Sequence, residues 1–192
     1  MKKLLQVLLL CTFCYTASAQ FDIGLQNPFY VAANEVISVT NSEELYIGDD
    51  IENAGILNLG TGTLIAAGNY SNTGTINLSS ATLQFEGNAN QTVNFGSNDT
   101  AKKLALNKSA NTATINTGNL SITDFVQATQ GTLNAAGKIT LKSNASKSAI
   151  VEPSTGGAID NLVVERYIPA RRAYRLVSSP VTTSTSIRAN WQ

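Results

Sequence analysis

Apolar residues alternate with Ser, Thr and Asn in short runs, and Gly or Asn closes most of the runs. That period of two is the mark of half-buried strands. Glu35-Val-Ile-Ser-Val39 and Leu45-Tyr-Ile47 read as strands, as do Thr92–Phe95, Lys103–Leu106 and Thr112–Ile115. The pattern is most regular over residues 51–88, where a 19-residue unit occurs twice, from Ile51 to Asn69 and from Tyr70 to Asn88. Eight aligned positions are identical: Asn53/Asn72, Gly55/Gly74, Asn58/Asn77, Leu59/Leu78, Thr63/Thr82, Leu64/Leu83, Gly68/Gly87 and Asn69/Asn88. A short fixed period of this kind predicts stacked β-turns of chain.

Parity sets the expected faces. Leu57 with Leu59, and Ile76 with Leu78, point the same way. In register, Leu59 stacks on Leu78 and Leu64 on Leu83, while Asn58 and Asn77 face outward. Asn69 and Asn88 follow glycines and are expected in turn conformations with positive φ, or as an amide ladder. The period returns at Gly118-Asn-Leu-Ser-Ile122 and Gly137-Lys-Ile-Thr-Leu141, and Gly131-Thr-Leu133 repeats Gly62-Thr-Leu64.

The predicted fold is all-β: a right-handed parallel β-helix or β-solenoid with 19-residue rungs, then an incomplete antiparallel β-hairpin region. Residues 1–19 are expected to be a signal peptide, 20–50 an N-terminal cap, 51–160 a solenoid of about five rungs, and 161–192 the start of a truncated β domain. In the last segment Leu162–Ile168 and Ala173–Val177 read as two strands joined at Ala170-Arg-Arg172, and Trp191 lies next to the end.

Composition sharpens this picture. The chain holds 20 Asn, 21 Thr and 17 Ser, residues of turns and of side chain–backbone bonds. Lys2 and Lys3, the apolar run from Leu4 to Tyr15 and Ala17-Ser-Ala19 predict export through Sec, to the outer surface, the periplasm or the medium. No later apolar run reaches spanning length, so no transmembrane segment is expected. Both cysteines, Cys11 and Cys14, fall in the leader, and the chain has no His. The exported part therefore excludes disulfides, thiol nucleophiles, His-based triads and His/Cys zinc sites. Charge is uneven: Gln20–Asp99 carries nine acids and no base, and Thr100–Gln192 carries eleven bases and four acids.

Three sets of residues are candidate sites. Asp49, Asp50 and Glu52 cluster beside the first repeat as a Ca²⁺ candidate, although no Asp-x-Asp-x-Asp-Gly loop is present; solvated turn charge is the simpler expectation. Arg171, Arg172 and Tyr174 present an anion or glycan contact in a basic aromatic hairpin; the plainer reading pairs those arginines with carboxylates of a further domain. Asp99-Thr100-Ala101 resembles a short Bacteroidetes O-glycosylation pattern, which makes Thr100 a candidate for added sugar. No catalytic set and no cofactor are expected, and nucleic acid is not expected as a partner.

Gly118–Ile122, Gly131–Leu133, Lys138–Ser143 and the run Val164-Glu-Arg-Tyr-Ile-Pro-Ala-Arg-Arg-Ala-Tyr-Arg-Leu-Val-Ser-Ser-Pro180 together resemble the N-terminal region of large secreted Bacteroidetes proteins exported by type IX secretion, many of them uncharacterised and adhesin-like. The resemblance covers residues 115–192 best. It implies further β-sandwich domains and a C-terminal sorting domain in the parent protein, and it carries no catalytic residues. The expectation from sequence is a non-catalytic, exported structural or adhesive segment whose partners are glycans, other surface components or further domains. The alternative is a β-helix that binds or degrades polysaccharide.

Overall fold

The computed structural model describes residues 20–23, 28–39 and 42–169. The expected signal peptide and the residues Arg171, Arg172 and Tyr174 lie outside them. The described residues form sixteen strands and no helix. Accordingly, no helix among them is long and apolar enough to cross a membrane.

The strands stack as three faces. The first holds β3 (Val36–Ser38), β6 (Ile56–Asn58), the starts of β9 (Thr75–Gly87), β11 (Asp99–Thr117) and β12 (Leu120–Asn134), then β13 (Ile139–Leu141) and β16 (Val163–Val164). The second holds β1 (Gln20–Ile23), β4 (Glu44–Ile47), β7 (Thr63–Ala66), the middle of the three long strands, and β14 (Ile150–Val151). The third holds β2 (Phe29–Val31), β5 (Ile51–Asn53), β8 (Tyr70–Asn72), β10 (Gln91–Asn94), the ends of β11 and β12, and β15 (Gly157–Asp160). Every ladder between these strands is parallel, and about six turns stack to make a β-solenoid.

The expected register is present. Leu64 pairs with Leu83, Asn58 with Asn77, and Leu120 with Ile139. The step of 19 residues holds through Leu45, Leu64 and Leu83. It then lengthens: Leu83 meets Leu104, Leu104 meets Val126, and Val126 meets Val151. The extra residues leave the ladder at corners such as 88–90 and 144–147, so the inward column stays aligned through Val126. Gly131-Thr-Leu133 consequently lies on the third face, while Gly62-Thr-Leu64 leads into the second.

The parallel pairing also runs past the boundaries read from sequence. Gln20–Ile23 and Phe29–Val31 already pair with β4 and β5 as a first turn. At the other end Val163–Val164 pairs in parallel with β13, so this part of the expected hairpin strand joins the stack.

The core runs down the axis. Leu45, Leu64, Leu83, Leu104 and Val126 form one buried column, and Leu57, Leu59, Ile76 and Leu78 line the first face. Tyr70, Phe85 and Phe95 pack together with ring centroids 5.6–6.5 Å apart. Burying such side chains contributes roughly 1.5–3 kcal/mol each, which offsets ordering entropy over many turns but not over two.

Glycine is required where corners touch. A Cβ on Gly74 would lie 2.2 Å from the Gly55 carbonyl oxygen, which explains the shared Gly55/Gly74 position. Gly87 takes a φ of 93°, whereas Asn69 and Asn88 are not among the residues with positive φ. The left-handed turn expected of Asn88 is thus taken one residue earlier, where no Cβ opposes it. Between turns, Lys147 pairs with Asp124 at 2.6 Å and Lys142 with Glu165, so bases of the second half meet acids of neighbouring turns. Each lysine holds its partner's carboxyl below the usual range, chiefly by hydrogen bonding.

Candidate functional site

Parity turns Asn53 and Asn72 inward, because they follow Ile51 and Tyr70 on the buried side of the third face. Both asparagines are almost fully buried. Asn53 Nδ2 donates to Asn72 Oδ1 at 2.8 Å and to the Thr75 carbonyl at 3.0 Å. Asn72 Nδ2 donates in turn to Asp99 Oδ2 at 2.9 Å, and the Gly96 amide donates to the same oxygen at 2.9 Å. One amide column thereby ties three turns together. Its position was visible in the repeat as Asn-x-Gly, yet turn formation was the obvious meaning of that sequence. Burial, with the nearby Asp99 charge adding to it, pushes the Tyr70 phenol well above its ordinary value. The phenol is therefore neutral. Replacing Asn72 with Leu should lower stability by about 2–3 kcal/mol, since Asp99 and Asn53 each lose a buried partner. A shift of the urea midpoint followed by circular dichroism measures this.

Two members of the acidic cluster, Asp49 and Asp50, are spent on the chain itself. Asp49 Oδ1 accepts from the Asp50 amide at 2.9 Å. Asp50 accepts from the Asn69 amide at 2.6 Å and from Asn69 Nδ2 at 3.2 Å. Asn69 Oδ1 then accepts from the Thr92 amide at 2.8 Å. Glu52 stands outward on β5. Among the described residues no three acidic, His or Cys side chains are placed to hold a metal ion. Asp50 and Asn69 act as a corner brace, and the amide ladder expected of Asn69 with Asn88 does not form, because Asn69 is engaged by Asp50 and the Thr92 amide.

Thr100 lies half-buried on β11, beside the inward Ala101. It lines an open groove of about 420 Å³ with Thr75, Asn77, Ser97 and Asn98. The groove exists because Thr75–Asn77 pair with β6 on one side, while on the other only Leu78 meets β11, at Ala101. Asn77 and Asn58 also bond to each other on this outer face, and Asn58 Nδ2 donates to Ser38 Oγ at 3.1 Å.

A second network was not anticipated. Lys108 is fully buried, with Nζ 2.6 Å from the Glu86 carbonyl oxygen and 2.9 Å from Gln91 Oε1. Gln91 Nε2 passes the chain on to the carbonyls of Ala66 at 2.9 Å and Gly68 at 2.6 Å. Burial pulls the Lys108 pKa below its ordinary value, and the Glu86 carboxylate partly opposes that.

These features define a parallel β-solenoid braced by polar columns at its corners. No family model matches the chain, and neither a curated protein nor a solved structure does.

Proposed function

We propose that this chain is a non-catalytic structural or adhesive segment of an exported protein, built to present its solenoid wall to a surface or a partner. The observation that carries the reading is how its polar groups are used. The N–H groups of the buried amides, with Asp99 and Lys108, are engaged in bonds between turns, and the outward positions carry mostly Ser, Thr and Asn. General acid–base work on a polysaccharide asks instead for carboxylates free to exchange a proton with substrate, whereas Asp124, beside Lys102 and Lys103, is held in an ion pair with Lys147. The leader-like residues 1–19 and the resemblance to type IX secreted proteins support export, with glycans or further domains as the partners met there.

The test is direct. Purified protein incubated with a panel of plant, algal and bacterial polysaccharides should release neither reducing ends nor unsaturated sugars. Release of either would establish the degrading β-helix instead.

A further inference from the structure

A shallow trough crosses five successive turns at the corner that follows the second face. Its floor is small: Gly48, Ala67 and Gly87. Tyr46 forms one end and Gln130 the other, with Asn88, Asn107 and Ser109 between them, around a volume of about 630 Å³. Parallel strands lie about 4.8 Å apart, so four steps give a trough about 19 Å long, parallel to the solenoid axis.

We propose that this trough binds a single strand of a neutral polysaccharide. The inference rests on the adhesive reading above and gives it a site. Three observations support it. First, the lining amides and hydroxyls are uncommitted. Asn88, Ser109, Gln130 and Tyr46 make no side-chain hydrogen bond within the described structure, and Asn107 engages only its Oδ1, with Thr129 Oγ1 at 3.1 Å. Elsewhere, Asn53, Asn69, Asn72 and Asn77 spend their amides between turns. An amide offers both donors and an acceptor, which suits rows of sugar hydroxyls. Second, the half-buried Tyr46 ring on the second face supplies an apolar platform with a polar tip for one sugar. Third, charge selects against acidic polymers. The lining holds no Asp, Glu, Lys or Arg, Asp49 and Glu86 adjoin lining glycines, and the first three turns of the trough belong to the stretch from Gln20 to Asp99 that has no base. Lys108 points inward between Asn107 and Ser109 and is bonded beneath the floor.

Isothermal titration calorimetry on the full exported chain tests this. The probes are hexamers of β-1,4-glucose, β-1,4-xylose, β-1,4-N-acetylglucosamine and α-1,4-glucose, with hexagalacturonate for comparison. At least one neutral hexamer should bind. Tyr46→Ala and Gln130→Ala, at opposite ends of the trough, should each weaken binding about tenfold with unchanged thermal melts. Hexagalacturonate should bind at least about tenfold more weakly. The proposal is overturned if no neutral hexamer binds at about 1 mM, the weak limit of specific recognition. It is overturned equally if both variants keep full affinity, or if hexagalacturonate binds as tightly. Those failures leave a structural role intact, whereas sugar release would remove the non-catalytic reading itself.

Discussion

Leu78→Asp should unfold the solenoid. Leu78 is 1 % exposed, pairs with Ala101 on the next turn, and stacks beside Leu59, whose amide bonds the Asn77 carbonyl at 3.4 Å. The substitution removes roughly 2–3 kcal/mol of apolar burial. It also places a carboxylate where no donor waits, and either an unpaired charge or a forced protonation adds several kcal/mol more. The sum rivals the roughly 5–15 kcal/mol that holds a whole domain together. Leu78→Ala should cost a more modest 2–5 kcal/mol, and Ser79→Asp, one residue on and exposed, should leave the melt unchanged. Circular-dichroism melts compare all three. A wild-type melt for Leu78→Asp would place this side chain outside the core.

Lys108→Ala should lower stability by about 3 kcal/mol, because Gln91 Oε1 and the Glu86 carbonyl lose their donor while a cavity opens at the corner. Its pH dependence has a definite sign. The folded-state pKa of Lys108 is lowered, chiefly by desolvation. Between that lowered value and the ordinary lysine value of about 10.4, the unfolded chain holds more protons than the folded one. Folding is therefore favoured progressively as pH rises through this window, and below it the desolvation cost is fully present. Lys108→Met keeps most of the side-chain volume but does not titrate. Urea unfolding in alkaline buffers should show stability rising more steeply with pH for the wild type than for Lys108→Met. Parallel curves would mean that Lys108 ionises as freely folded as unfolded.

The stack and its register were legible where sequence and geometry repeat together. Asn58/Asn77, Leu64/Leu83 and Leu120/Ile139 occupy equivalent places in the sequence and pair in space. Turn length was legible only there, since a corner loop such as 88–90 adds residues without disturbing the inward columns. Gly131-Thr-Leu133 misled for that reason: three residues recur, but the intervening corners carry the copy to another face. The polar columns had an ambiguous signal. Lys108 shares parity with Leu104 and Leu106, and alternation alone turns it inward. Its charge argued for solvent, and only the convergence of Gln91 and the Glu86 carbonyl from neighbouring stretches of chain makes the inward position tolerable. The trough left no mark in the sequence because its members are drawn from five turns, one or two residues from each.

The 19-residue step also fixes what this architecture is good for. Fully extended, 19 residues reach about 65 Å, yet one turn advances the stack by only about 4.8 Å. About six turns rise close to 29 Å. Measured as reach per residue, the chain is a poor tether. Nearly all of its length goes into girth, a three-sided wall renewed at each storey, and every duplicated unit such as 51–69 and 70–88 adds another course of wall while raising the stack by only about 4.8 Å.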